Sequence, residues 1–181
     1  MGEAGRVETT VDLLATQPFL AGLTPHQLGL LAPLASRSMF HAGNRVFREG
    51  SPADQFWLIT DGRVQLDSEV PGYDNLIFET LDGGTVLGWS WMFPPHRWHF
   101  GAVAVTTTYA VTFNGPLVTA LCRRDPGLGY ELSTRVLQVM GNRLQAARLR
   151  LAELHRVTGH RQPPGPGPVT AEELLAKYRQ G

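Results

Sequence analysis

The sequence predicts an α+β chain: an antiparallel β-roll (jelly roll) with N-terminal helices before it and one long C-terminal helix after it. Two observations carry the reading. From Met39 to Phe113, short β-rich stretches are cut by turn signals at His41–Asn44, Glu49–Asp54, Asp61-Gly62, Pro71-Gly72 and Leu81–Gly84, with no helical pattern between them. That spacing belongs to antiparallel barrels and jelly rolls. Further on, Leu137, Met140, Leu144, Ala147, Leu151 and Leu154 recur at alternating three- and four-residue steps, the a/d seam of a coiled coil. At 181 residues the chain has room for one domain with a core and a tail, but not for two independent cores.

Taken in order, residues 1–37 read as helices. Val7 to Thr16 is a short segment, and Thr24-Pro25 opens a second one: Thr24 is a natural N-cap, Pro25 suits the first helical position, and Leu28, Leu31, Ala32 and Ala35 form an apolar stripe. Residues 38–124 hold the roll. Asp125 and Pro126 repeat the cap-then-proline signature and open a helix over 125–158, which carries the seam. The seam could pack on its own barrel. Its narrowness and its length of about five turns favour a parallel homodimer instead. Gly141 beside it costs about 1 kcal/mol against alanine and permits close approach or a bend. Residues 159–169 are rich in Pro and Gly and read as a linker. In 170–181, Thr170 with Glu173 fits a capping box, while Leu174, Leu175 and Tyr178 are too few to fold alone, leaving a frayed tail or a docking helix.

Composition narrows the function. A formal net charge of zero gives no general attraction to nucleic acid or to an anionic membrane. Arg143, Arg148, Arg150 and Arg156 on the long helix read as a solvated face. Cys122 is the only cysteine, which excludes an internal disulfide, and on an apolar helix it reads as a small buried hydrophobe. The polar start has no signal-peptide pattern, and no run reaches the roughly 18 apolar residues of a membrane span. The expectation is a soluble, cytoplasmic protein with no membrane contact.

The most distinctive stretch is Gly88 to Phe100, GWSWMFPPHRWHF, which holds three of the four tryptophans. From Gly83 through Arg124 there is no Asp or Glu, so carboxylate acid/base chemistry is not expected there. His96 and His99 lack a third protein ligand for a metal, and Ser90 with a histidine lacks an acidic orienter. No metal site, no catalytic residue and no enzyme activity are expected.

Phe40–Gly50, Ala53–Val64 and Leu81–Gly88, taken together, resemble the cyclic nucleotide-binding domain of the bacterial catabolite-activator and fumarate-nitrate regulators. The resemblance covers roughly Phe19 to Leu154, with Gly43, Gly50, Gly62 and Gly88 where that fold turns its roll, and with a Leu-Thr-Pro helix before and a long dimer helix after. It implies a phosphate-binding cassette that opens Gly-Glu, the Glu holding a ribose hydroxyl, and that continues to a phosphate-neutralising Arg followed by small residues. Here Gly88 is kept, but Trp89 stands in the place of the Glu. Arg97 and Trp98 stand where the phosphate Arg is expected, to within one residue, and His99-Phe100 replace small residues.

Three readings stay open. Trp89, Trp91 and Trp98 fill the pocket; or an unidentified nucleotide or anion binds with Arg97 at its phosphate and a tryptophan on its base; or a cyclic nucleotide binds with another group in the role of the Glu. The candidate ligand residues are Gly88, Trp89, Ser90, Arg97, Trp98 and His99. Regulators of this family carry a helix-turn-helix after the dimer helix, and the few residues after Thr158 leave no room for it, so no DNA-binding domain is expected. The cassette looks like that of small single-domain relatives found as accessory subunits of larger enzymes. The expectation is a stand-alone, non-enzymatic homodimer acting by protein contact within a larger complex, with Leu174, Leu175 and Tyr178 as the docking element. The alternative is a nucleotide or anion sensor that moves the dimer helix.

Overall fold

The computed structural model describes residues 9–69 and 75–157, without the side chain of the last. Thr9 and Thr24 each close a capping box. The Thr9 hydroxyl accepts from the Asp12 N–H and the Asp12 carboxylate from the Thr9 N–H, opening α1 (Thr10–Ala15). The same exchange between Thr24 and Gln27, at 3.2 and 2.9 Å, opens α2 (Pro25–Leu31). The apolar stripe expected to carry this helix through Ala35 is corrected here: α2 ends at Leu31, Ala32–Leu34 form a 3-10 turn, and Ala35 already begins a strand. Pro33 lacks the N–H that would continue the helical ladder, so the chain tightens and leaves.

Eight strands follow: β1 (Ala35–Phe40), β2 (Arg45–Phe47), β3 (Gln55–Asp61), β4 (Arg63–Ser68), β5 (Leu76–Asp82), β6 (Val86–Leu87), β7 (Gly101–Ala104) and β8 (Thr108–Asn114). They form two four-stranded sheets, ordered β1-β8-β3-β6 and β2-β7-β4-β5, with every pairing antiparallel. The core draws on both: Trp57, Ile59, Leu87 and Ala110 from one sheet, Phe47, Val64, Leu66, Leu81 and Ala102 from the other. Each large side chain buried in this way stabilises the fold by about 1.5–3 kcal/mol. Gly62, at φ 94°, joins β3 to β4 where an added Cβ would lie 2.5 Å from the Thr107 carbonyl oxygen. Only glycine fits there.

After β8, Asn114 caps α3 (Gly115–Arg124), and the Asp125 carboxylate accepts from the Leu128 N–H at 2.9 Å at the start of α4 (Pro126–Val157). The chain divides into compact units at Gln138/Val139. In the first, Leu128, Leu132 and Val136 recur every four residues along one face of α4 and are buried. Arg135 on the same helix pairs with Glu131 and donates to the Ala21 carbonyl at 2.6 Å, fastening the N-terminal segment. In the second, α4 is open to solvent: Leu144, Leu151 and Leu154 are each more than half exposed, as is Leu137 just before it. Ala147 is also exposed and Met140 half-buried. The proposed linker 159–169 and the residues Leu174, Leu175 and Tyr178 lie outside the described residues. Among the described residues no helix is long and apolar enough to cross a membrane.

Candidate functional site

The segment Gly88–Phe100 leaves β6 and returns into β7. Gly88 turns the chain at φ 81°, and a Cβ there would stand 2.8 Å from the six-membered ring of Trp98. Ser90–Met92 make a 3-10 turn, the Pro94–Pro95 bond is cis, and His96 takes a left-handed φ of 55°. The His96 ring Nδ1 donates to the Trp91 carbonyl at 2.9 Å, and its backbone N–H to the Phe93 carbonyl at 2.9 Å. These bonds hold a conformation that a residue with a Cβ rarely adopts.

The returning limb docks on the loop between β2 and β3. The Ala53 N–H donates to the His96 carbonyl, the Gly50 N–H to the Trp98 carbonyl, and the Trp98 N–H to the Ser51 carbonyl, at 2.8, 2.8 and 2.9 Å. Arg97 is exposed, yet its guanidinium donates to the Gly50 carbonyl at 2.6 Å, so the candidate phosphate arginine already holds a backbone acceptor.

The three tryptophans go to three places. Trp98, 3% exposed, stacks on Phe47 with centroids 3.9 Å apart and lies 5.8 Å from Trp57, in the interior of the roll. Trp91 leaves the roll interior and stacks on Phe56, which stacks in turn on Phe113. Gly115 leaves room for it beneath α3. Trp89 is half-buried, stacked on His99 at 5.6 Å and set edge-on to Phe100 and Phe93. Its indole N–H is buried and has no hydrogen-bond partner among the described residues; a donor left unsatisfied in this way costs about 1–3 kcal/mol. Ser90 is fully buried, its hydroxyl 3.0 Å from Nδ1 of the exposed His99. Among the described residues no carboxylate hydrogen-bonds to that imidazole, the third member a nucleophilic serine needs. Of the six candidate residues, Arg97 and His99 face solvent and Trp89 does so in part, while Gly88, Ser90 and Trp98 are enclosed.

One ionic feature beside the cassette escaped the sequence reading. Arg45 of β2 and Asp67 of β4 form a two-pronged pair at 2.8 and 2.6 Å, and Asn75 donates to the same carboxylate at 2.9 Å. The pair lies across the start of β7, where a side chain on Gly101 would collide with both partners. The Arg45 hydrogen bonds hold the Asp67 carboxyl below its usual range against the opposing effect of burial, with Asn75 adding to the lowering. The same bond pushes Arg45 up. The pairing spans two strands that share only β7 as neighbour, so nothing in local sequence announces it. Among the described residues no group of three His, Cys, Asp or Glu could hold a metal ion.

Residues 37–125 match the sequence profile of the cyclic nucleotide-binding domain. They are a domain of that family. A CRP-like cAMP-activated global transcriptional regulator of Mycobacterium tuberculosis is 27% identical over 145 residues, 79% of this chain and 62% of the regulator. The chain thus spans about three-fifths of the curated relative's length. Among solved structures, a cyclic nucleotide-binding domain from Methylobacillus flagellatus aligns with a TM-score of 0.68 at 17% identity, over 80% of this chain and 81% of that one. The catabolite activator protein of Thermus thermophilus aligns at 0.62 and 24% identity, over 76% and 62%. These two establish the fold: a cyclic nucleotide-binding β-roll of the CRP type, followed by a long helix.

Proposed function

We propose that this domain is a non-enzymatic regulatory or accessory module, cytoplasmic and homodimeric through α4, that works by protein contact and whose usual nucleotide site has been remade. One observation carries the reading: the interior of the roll holds the chain's own aromatic stack, Trp98 on Phe47 beside Trp57. Arg97, the candidate for a ligand phosphate, is turned to the Gly50 carbonyl. Trp89 brings a neutral donor where a ribose-binding carboxylate would stand. The exposed leucines of α4 supply the surface for a second copy, and Leu174, Leu175 and Tyr178 supply the candidate anchor to a larger partner. Purification under native conditions should recover a stoichiometric partner, lost when the chain is cut before Pro163. A full-length chain that purifies with no partner rules out the accessory role.

The sensor reading has one observation of its own, the unpartnered indole N–H of Trp89, which an acceptor on a ligand would satisfy. A nucleotide bound at 100 times its dissociation constant would raise stability by about 2.7 kcal/mol. A flat melting temperature across a panel of nucleotides excludes it.

A further inference from the structure

We propose that the groove between α3 and α4 binds an acidic peptide segment of a partner protein, an apolar side chain resting on Trp91 and a carboxylate meeting Arg123. The proposal rests on the protein-contact reading above and gives that contact a place. The groove has a volume of about 350 Å³. Its walls come from single helix faces: Cys122 and Arg123 of α3, and Gly129 and Ser133 of α4, with Trp91 and Met92 of the 3-10 turn at its floor.

The floor is rigid. Trp91 is clamped by its stack on Phe56 at 4.9 Å and by Gly115, whose added Cβ would come within 2.9 Å of the Trp91 Cβ. The two helices approach closely at Gly129, where a Cβ would lie 3.1 Å from the Cys122 carbonyl oxygen, and this contact fixes the depth of the groove. A surface held in this way loses little freedom when it is covered.

Charge decides the occupant. Arg123 is exposed, and no carboxylate among the described residues pairs with it. Asp125, the nearest acid in sequence, accepts from the Leu128 N–H. No Asp or Glu occurs between Gly83 and Arg124, and Arg124 adds a second exposed cation. An apolar floor beside an unpaired arginine complements a segment in which leucine and glutamate are neighbours. The groove lies at the small end of the range that encloses a free small molecule and is not sealed from solvent, which suits one or two side chains projected from a peptide backbone.

Cys122 provides the readout, because it is the only thiol in the chain and it lines the groove. The full-length protein is alkylated with a maleimide in the presence of the blocked peptide Ac-Glu-Leu-Leu-Glu-amide or its lysine counterpart Ac-Lys-Leu-Leu-Lys-amide. The acidic peptide should slow alkylation about fivefold at four times its dissociation constant, and the basic one should not. Arg123→Glu should abolish the acidic peptide's protection and confer protection by the basic peptide, with the melting temperature unchanged because Arg123 is exposed. Equal protection by both peptides, no protection by either, or protection indifferent to Arg123→Glu overturns the proposal. The outcome separates from the accessory role itself: a native partner that stays bound to Arg123→Glu refutes the groove and leaves the protein-contact reading standing.

Discussion

In the cassette, Trp98 is 3% exposed and stacked on Phe47; on the distal part of α4, Leu144 is 65% exposed. Trp98 belongs to the tryptophan-rich run and Leu144 to the narrow heptad stripe, and both features invite a functional reading. The difference teaches which of them acts inside the chain. The cassette, which holds three of the four tryptophans, turns its unusual residues on itself: Trp98 in the roll, Trp91 under α3, Arg97 on a carbonyl. The heptad, ordinary in composition, is left open and has to be covered by something else if it is to be buried at all.

The comparison breaks most readily at Trp98. Trp98→Ala should destabilise the fold by about 3–5 kcal/mol, the cost of emptying a large aromatic site, measured by urea denaturation. Trp89→Ala, half-exposed and unpaired at its N–H, should cost about 1 kcal/mol in the same measurement. Equal losses at the two positions would mean that the roll interior is not where the cassette is anchored.

A smaller effect tests the ionic counterpart of the same contrast. Asp67→Ala strands the Arg45 charge and should cost about 3 kcal/mol. Removing Glu153 from its exposed pair with Arg156 on α4 should change stability by less than about 0.5 kcal/mol. The Asp67 pair also fixes a pH dependence. Because its folded pKa is depressed, its contribution is fully present above the unfolded value of about 3.9 and is lost as pH falls through the lower folded value. Arg45, shifted upward, adds no slope in the acid range. The urea midpoint of the unmodified chain should therefore drop more steeply below about pH 4 than that of Asp67→Asn; parallel curves would refute the role given to the pair.

The sequence was most legible where structure is set locally. Thr24 and Asp125 are N-caps as the Thr-Pro and Asp-Pro pairs imply, and Gly62 and Gly88 take positive φ where the family's turns lie. Legibility ends where the outcome depends on contacts distant in sequence. Nothing in GWSWMF tells that Trp89 and Trp91, two residues apart, part company across a 3-10 turn, one to His99 and the other to Phe56. Arg45 and Asp67 meet only because β7 runs between their strands. The strand beginning at Ala35 was hidden by an apolar spacing that fits a helix until Pro33 interrupts its ladder. The α3–α4 groove has no sequence signature, since it exists only after Gly129 lets the helices close on Cys122.

An equally small change in stability, and the sharpest test of the other side of the comparison, is expected of Leu144→Arg. At 65% exposure the side chain contributes little to the fold of its own chain, so the urea midpoint of dilute, dissociated protein should move by less than about 0.5 kcal/mol. In a seam formed by two copies, position 144 would meet its counterpart, and two arginines would bring like charges together in an apolar setting with nothing to pair them. Light scattering should then give half the mass of the unmodified chain. A large loss of stability at unchanged mass would place Leu144 in the chain's own core, and an unchanged mass with unchanged stability would leave the stripe without a second copy to cover it.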